Sequence, residues 1–258
     1  MMRIVVKVGT STLAHRTGHM NIRRVEALCK VLSDVKNAGH EVILVSSGAI
    51  GMGVGKLSLS RRPEDIPTKQ AAAAVGQCEL MYTYDRLFSN YNHTVAQLLV
   101  TGSDVEDATR RGHFQNTLNR LLELGALPVI NENDTIATDE IVIGDNDTLS
   151  AIVAATVSAD LLVVLSDIDG LYTADPRHDD GARLIAVVDA ITPEIEALAG
   201  GHGSSLGTGG MVTKLRAARI AMGAGIDMVI ANGANPDLLY DILDGQPVGT
   251  KFTGRNPA

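Results

Sequence analysis

Four short runs of β-branched residues and leucine limit what this chain can become. Arg3–Val8 (RIVVKV), Glu41–Val45 (EVILV), Leu127–Ile130 (LPVI) and Leu161–Leu165 (LLVVL) carry almost no alternating polar residues, so each reads as a strand covered on both faces. Longer stretches of helical spacing lie between such runs. Asn21 is placed to cap a helix that Gly39 stops near Ala38. Helical spacing also marks Thr68–Phe88, Arg110–Leu124 ahead of Gly125, and a helix from Asp145-Asn146-Asp147 to about Ser158. Further helices are expected after Thr192-Pro193, over Met211–Ala224 and over Pro236–Leu243, with strands at Thr94–Val100, Leu184–Val187 and Asp227–Ile230. Val248–Phe252 reads as an edge strand and Thr135–Ile143 as a short hairpin. Strand, helix and strand in repetition require parallel pairing with right-handed crossovers. The fold class expected is α/β, a three-layer αβα sandwich around an open, mostly parallel sheet.

Composition agrees with that architecture. Only 3% of the residues are aromatic and there is no Trp, so the core must be built from Val, Ile, Leu and Ala. A formal net charge of -8 argues against nucleic acid as a partner. Cys29 and Cys78 make no disulfide framework and suit a reducing cytoplasm. The opening residues do not form a signal peptide, and Asp160 interrupts the apolar stretch Leu149–Leu165, so no membrane partner is expected. At 258 residues one continuous domain is expected, with Gly55–Pro67 a basic, irregular and mobile loop.

In open parallel sheets ligands bind beyond the carboxyl ends of the strands. Five unusual segments fall there: Gly9–Thr12, Ser46–Gly53, Asn131–Asp134, Ser166-Asp167 and the glycine-rich run that ends at Lys214. The last of these, Thr208-Gly209-Gly210-Met211-Val212-Thr213-Lys214, enters a helix. Glycines let backbone N–H groups crowd a phosphate, a helix N-terminus favours negative charge, and Lys214 follows about one turn in. Taken alone, the glycines read better as a flexible loop; with Lys214 and the other segments they read as a phosphate site. Lys7 stands inside an otherwise apolar strand, where an unpaired ammonium is costly to bury. It either snorkels from an edge strand or points from the strand end at a transferring phosphoryl group, and the second reading is preferred.

Asp145-Asn146-Asp147 could be helix caps and nothing more. Beside two lysines, an Asp here can instead hold ammonium groups in place. Asp134 and Asn146 offer acceptors for an α-amino group, and Ser47 with the backbone after it could hold a carboxylate. Gly51–Lys56 has the wrong spacing for a Walker A loop, and the glycines at 48, 51, 53 and 55 do not match a dinucleotide fingerprint. The seven histidines show no metal-ligand spacing, and no G-x-S-x-G elbow occurs.

VVKVGTS (Val5–Ser11), VSSGAI (Val45–Ile50), KQAAAAVGQ (Lys69–Gln77), PVINENDTIAT (Pro128–Thr138), IGDNDTLSA (Ile143–Ala151), LSDIDGLYTADPR (Leu165–Arg177) and GTGGMVTK (Gly207–Lys214) together resemble the amino acid kinase family, in its branch acting on glutamate. The resemblance implies an eight-stranded sheet, with residues 1–150 binding glutamate and 151–258 binding ATP. It implies phosphorylation of the L-glutamate side-chain carboxylate by ATP with Mg2+, opening proline synthesis. Lys7 and Lys214 would neutralise the phosphates and Asp147 would organise them; Ser47, Asp134 and Asn146 would bind glutamate; Lys7, Ser166, Asp167 and Thr208 to Lys214 would line the nucleotide site, with no protein metal ligand assigned. Ser166 stands where relatives often carry Thr. A homo-oligomer, feedback by proline and handover to glutamyl phosphate reductase follow from the same resemblance, and the PUA domain of many relatives is not expected here. Two other readings stay open on residues alone. One is a sister kinase acting on aspartate, N-acetylglutamate, carbamate or a nucleoside monophosphate; the other is a non-catalytic binding protein, which would not need both lysines and Asp147.

Overall fold

The computed structural model describes residues 1–15, 17–136, 145–199 and 210–254. In chain order the elements are β1 (Arg3–Val8), α1 (Thr10–Leu13), α2 (Ile22–Asn37), β2 (Glu41–Ser46), α3 (Ala49–Lys56), α4 (Ile66–Ser89), β3 (Val95–Val100), α5 (Gly102–Glu106) and α6 (Ala108–Glu123). They continue with β4 (Leu127–Glu132), α7 (Asn146–Thr156), β5 (Leu161–Ser166), β6 (Val187–Val188), α8 (Pro193–Leu198), α9 (Met211–Gly223), β7 (Asp227–Asn232), α10 (Leu238–Leu243) and β8 (Thr250–Phe252). The sheet has eight strands in the order β3-β4-β2-β1-β5-β7-β8-β6. Among the described residues every pairing is parallel except β7 with β8.

The period of two along each strand divides the core into two layers. Ile4, Val6 and Val8 of β1 pack with the buried faces of α2 and α4. Val5, with Ile43, Val45, Leu162 and Val164, packs against α6, α7 and α9. Each fully buried aliphatic side chain adds about 1.5–3 kcal/mol relative to exposure. Lys7 has the parity of Val5 and so turns toward α7 and α9. β1 lies between β2 and β5, which removes the edge-strand reading of Lys7.

Several expectations from sequence need correction. The segment Gly9–Thr12 after β1 is mostly helical, because α1 starts at Thr10. The glycines after β2 lie mostly in helix α3, where close packing is their purpose: a Cβ at Gly53 would sit 1.8 Å from the Ala72 carbonyl oxygen, and one at Gly76 1.7 Å from that of Ala49. Only a hydrogen at these positions lets α3 and α4 approach so closely. The irregular segment is therefore shorter than Gly55–Pro67, running from Leu57 to Asp65 between the two helices. Asn131 and Glu132 belong to β4. The strand expected at Leu184–Val187 is reduced to a single bridge from Leu184 to Tyr172, followed by β6. β8 is not an edge, since β6 flanks it. Part of the hairpin expected at Thr135–Ile143 lies outside the described residues.

Candidate active site

The site is assembled at the carboxyl ends of β1, β2, β4 and β5. Asp145 caps α7: Thr148 donates its backbone N–H to Asp145 Oδ1 at 2.7 Å and its hydroxyl to Oδ2 at 2.9 Å. With the first turn fixed in this way, Asp147 faces the sheet. Its Oδ1 lies 2.6 Å from Lys7 Nζ, and its Oδ2 accepts from Lys214 Nζ at 3.1 Å. Thr213 Oγ1 is 2.8 Å from the same Oδ2 and also 2.8 Å from the Gly210 carbonyl oxygen.

Lys7, Asp147 and Lys214 are 8%, 1% and 4% exposed. Such burial makes pairing a requirement, since removing either sign would strand the other. Burial by itself would raise the Asp147 carboxyl. The Lys7 and Lys214 ammonium groups, with hydrogen bonds from Lys7 and Thr213, outweigh it and bring the carboxyl down to about 2. Two cations against one anion leave these three groups with excess positive charge. Gly210 starts α9 with no side-chain cap, and Thr213 in the first turn of that helix meets Asp147, so the helix N-terminus lies beside these three groups. A phosphate suits both features.

The other end of the site is built from amides and carboxylates. Asn146 Nδ2 directs its two N–H groups at three acceptors, Ser47 Oγ at 2.8 Å, Asn131 Oδ1 at 3.0 Å and the Ser46 carbonyl at 3.3 Å. Asn131 Oδ1 also accepts the Glu132 backbone N–H at 2.9 Å, and Asn131 Nδ2 donates to Gln77 Oε1 at 2.9 Å. Burial, with the Asp134 and Asp145 carboxylates nearby, pushes Glu132 up to about 7. Burial pushes Asp134 up to about 6, partly offset by Arg62 from the segment between α3 and α4. This end is rich in acceptors and short of cations.

The residues singled out from sequence thus fall into linked groups. Lys7, Asp147 and Lys214 converge. Ser47 and Asn146 are bonded to one another, while Asp134, two residues past β4, hydrogen-bonds to neither. Ser166, the last residue of β5, donates to Asp167 Oδ1 at 3.1 Å. Gly210, Met211, Val212 and Thr213 form the cap and first turn of α9, whereas Thr208 and Gly209 lie outside the described residues. Gln77, Asn131 and Glu132 carry bonds or charge here without having been assigned a role from sequence. The signal available for the last two was polar residues closing an apolar strand; Gln77 gave none beyond its place in a helix of small residues. Among the described residues no group of three or more His, Cys, Asp or Glu side chains is arranged to hold a metal ion. None of the described helices is long and apolar enough to cross a membrane.

Known proteins resemble this chain in sequence and in fold. The model of the amino acid kinase family matches residues 2–232. Glutamate 5-kinase of Clostridium perfringens is 54% identical over 257 residues, 98% of this chain and 96% of that protein. Glutamate 5-kinase of Listeria innocua is 52% identical over 98% of this chain and 93% of its own length. Among solved structures, carbamate kinase from Giardia lamblia bound to AMP-PNP superposes with a TM-score of 0.70 at 17% identity, covering 98% of this chain and 99% of that one. An isopentenyl phosphate kinase superposes at 0.67 with 16% identity, covering 97% and 100%. At those identities the structural neighbours speak to the fold alone.

Proposed function

The chain belongs to the amino acid kinase family, and from that premise we propose that it transfers the γ-phosphoryl group of ATP to the side-chain carboxylate of L-glutamate, giving L-glutamyl 5-phosphate for proline synthesis. The observation that carries the reading is the meeting of two buried lysines, distant in sequence, on Asp147.

An oxygen of the acceptor carboxylate attacks the γ-phosphorus, that O–P bond forms, and the bond from phosphorus to the ADP oxygen breaks. The attacking carboxylate is ionised near neutral pH, so no proton has to be removed. The protein's work is then alignment and charge compensation. We assign Lys7 and Lys214 to the transferring phosphoryl group and Asp147 to holding both. Ser166, Asp167 and the segment Thr208 to Lys214 line the nucleotide, which enters as its Mg2+ complex. Ser47, Asp134 and Asn146 hold glutamate. On this reading residues 1–150 carry the acceptor and 151–258 the nucleotide.

An acyl phosphate is labile in water, which favours prompt removal by a glutamyl phosphate reductase. Proline shares the α-carboxylate and ammonium of glutamate, so it fits the acceptor end as a feedback inhibitor. Two unpaired cysteines, one buried and one exposed, suit the cytoplasm.

ADP release measured with glutamate, aspartate, N-acetylglutamate, carbamate and UMP as acceptors tests the assignment. Glutamate should give the highest kcat/KM, and hydroxylamine should trap its product as a hydroxamate. Higher kcat/KM with another acceptor, or ADP release without hydroxamate, would overturn it.

A further inference from the structure

We propose that Gln77 is a positioning residue: through Asn131 it holds the Asn146 amide so that its carbonyl, not its NH2 group, meets the acceptor substrate, and thereby selects an acceptor with a free α-ammonium group. The inference rests on the acceptor site proposed above and adds the device behind its selectivity.

An amide side chain can be turned over, so its orientation has to come from neighbours whose roles are fixed. The Glu132 backbone N–H is a donor in every state, and Asn131 accepts it at 2.9 Å; the atom of Asn131 facing it must therefore be Oδ1. Asn131 Nδ2 then faces Gln77, which must turn Oε1 toward it at 2.9 Å. The same Asn131 Oδ1 needs a donor from Asn146, and the Ser46 carbonyl, an obligate acceptor, needs one as well. Both are met by Asn146 Nδ2, which also reaches Ser47 Oγ.

Two atoms of this ladder have no partner among the described residues: Asn146 Oδ1 and Gln77 Nε2, both buried. A buried acceptor left open beside Ser47 is unusual, because such groups are nearly always satisfied. An ammonium group on the substrate would complete it. Gln77 is 7% exposed and Asn131 2%, so neither amide can turn to water if the other is lost. Removing the Gln77 carbonyl leaves Asn131 Nδ2 a stranded donor. Asn131 is then held from one side only, and the bond by which it pins Asn146 weakens with it. Gln77 sits on α4, whose close seat on α3 through Gly53 and Gly76 ties the ladder to the scaffold.

The test is Gln77→Leu, with Gln77→Met as a second apolar variant whose flexible side chain fits the same space, and Gln77→Glu, which keeps an acceptor for Asn131. ADP release is measured with glutamate, with glutarate, which lacks the amino group, and with ATP varied. The apolar variants should raise the glutamate KM about tenfold or more, as loss of a supporting hydrogen bond does elsewhere. The kcat and the ATP KM should hold, and the preference for glutamate over glutarate should shrink in proportion. Gln77→Glu should restore the glutamate KM to within a few-fold. Unchanged glutamate KM in the folded apolar variants would overturn the inference. So would equal damage from Gln77→Glu, which would make Gln77 Nε2 a direct contact, or a fall in kcat alone. Glutamate-independent behaviour of the unaltered chain would instead overturn the proposed reaction.

Discussion

Asp147 and Glu132 are carboxylates of one site, and their surroundings treat them in opposite ways. Asp147 is almost wholly buried yet brought down to about 2, because two ammonium groups of the protein outweigh its desolvation. Glu132 is less enclosed yet pushed up to about 7, because burial is joined by two more carboxylates. Where phosphate is expected, two lysines of the protein outweigh the burial of Asp147; where glutamate is expected, Arg62 offsets the burial of Asp134 only in part. An ammonium on the ligand would settle the carboxylates of the second end, much as the lysines settle Asp147. One end is thus complete in the protein, and on the proposed reading the other is completed by its substrate.

That contrast breaks most severely at Asp147. Replacing it with Ala leaves Lys7 and Lys214 buried without a counter-charge, and loss of one partner from a buried ion pair costs about 3–5 kcal/mol. Thermal denaturation of Asp147→Ala should show that loss, together with turnover near background; a variant as stable as the unaltered chain would mean that the triad is not a closed unit. Next come Lys7→Ala and Lys214→Ala. Each should lower kcat by about 10²–10³-fold, the usual effect of removing one group that stabilises developing charge. The glutamate KM should move little. If that KM rose while kcat held, the two ends would not be separate in function.

Much of this contrast is legible in the sequence. A lysine inside RIVVKV is costly to bury unpaired, and once the strand proves interior to the sheet it has to find an anion. Asp147 is harder to see, because DND at a helix start reads as caps. The structure divides the three residues by role, for Asp145 caps the helix, Asn146 joins the amide ladder and Asp147 pairs with lysines. Periodicity says which face a residue takes and not which partner waits across the sheet. The same limit hides Gln77 in a helix where four alanines and Gly76 precede it and read as packing alone. Helix α3 escapes notice for a related reason. Its glycines suggest a loop, yet they serve a helix pressed on another helix, and only tertiary contact tells the two cases apart.

A third way to sharpen the comparison is Asp134→Ala, which removes a carboxylate from the acceptor-rich end. Hydrogen bonds to charged groups contribute about 1.5–3 kcal/mol, so the glutamate KM should rise by roughly ten- to a hundredfold with the ATP KM unchanged. Steady-state titration of each substrate at saturating levels of the other checks this. An effect confined to ATP would place Asp134 at the wrong end.

The smallest effect is also the most diagnostic, because acid should act on the two ends in different pH windows. Asp134 is raised to about 6, so at that pH it is half protonated and its pull on an ammonium is halved; the glutamate KM should then about double from this group alone. Glu132, raised to about 7, adds to the rise from slightly higher pH. Stability moves the other way. A carboxyl raised on folding binds its proton more readily in the native state, so the ligand-free chain should gain stability from these groups as pH falls from about 7 toward the ordinary carboxylate range near 4. Asp147 is lowered on folding, so its contribution is intact above about 4 and is lost only as pH falls toward about 2, below that window. Glutamate KM measured from about pH 8 to 5.5, for the unaltered chain and for Asp134→Asn and Glu132→Gln, separates the cases. The rise should flatten in both variants. A profile unchanged by either substitution would mean that the substrate's ammonium does not answer these carboxylates, and the second end would not be completed by its ligand after all.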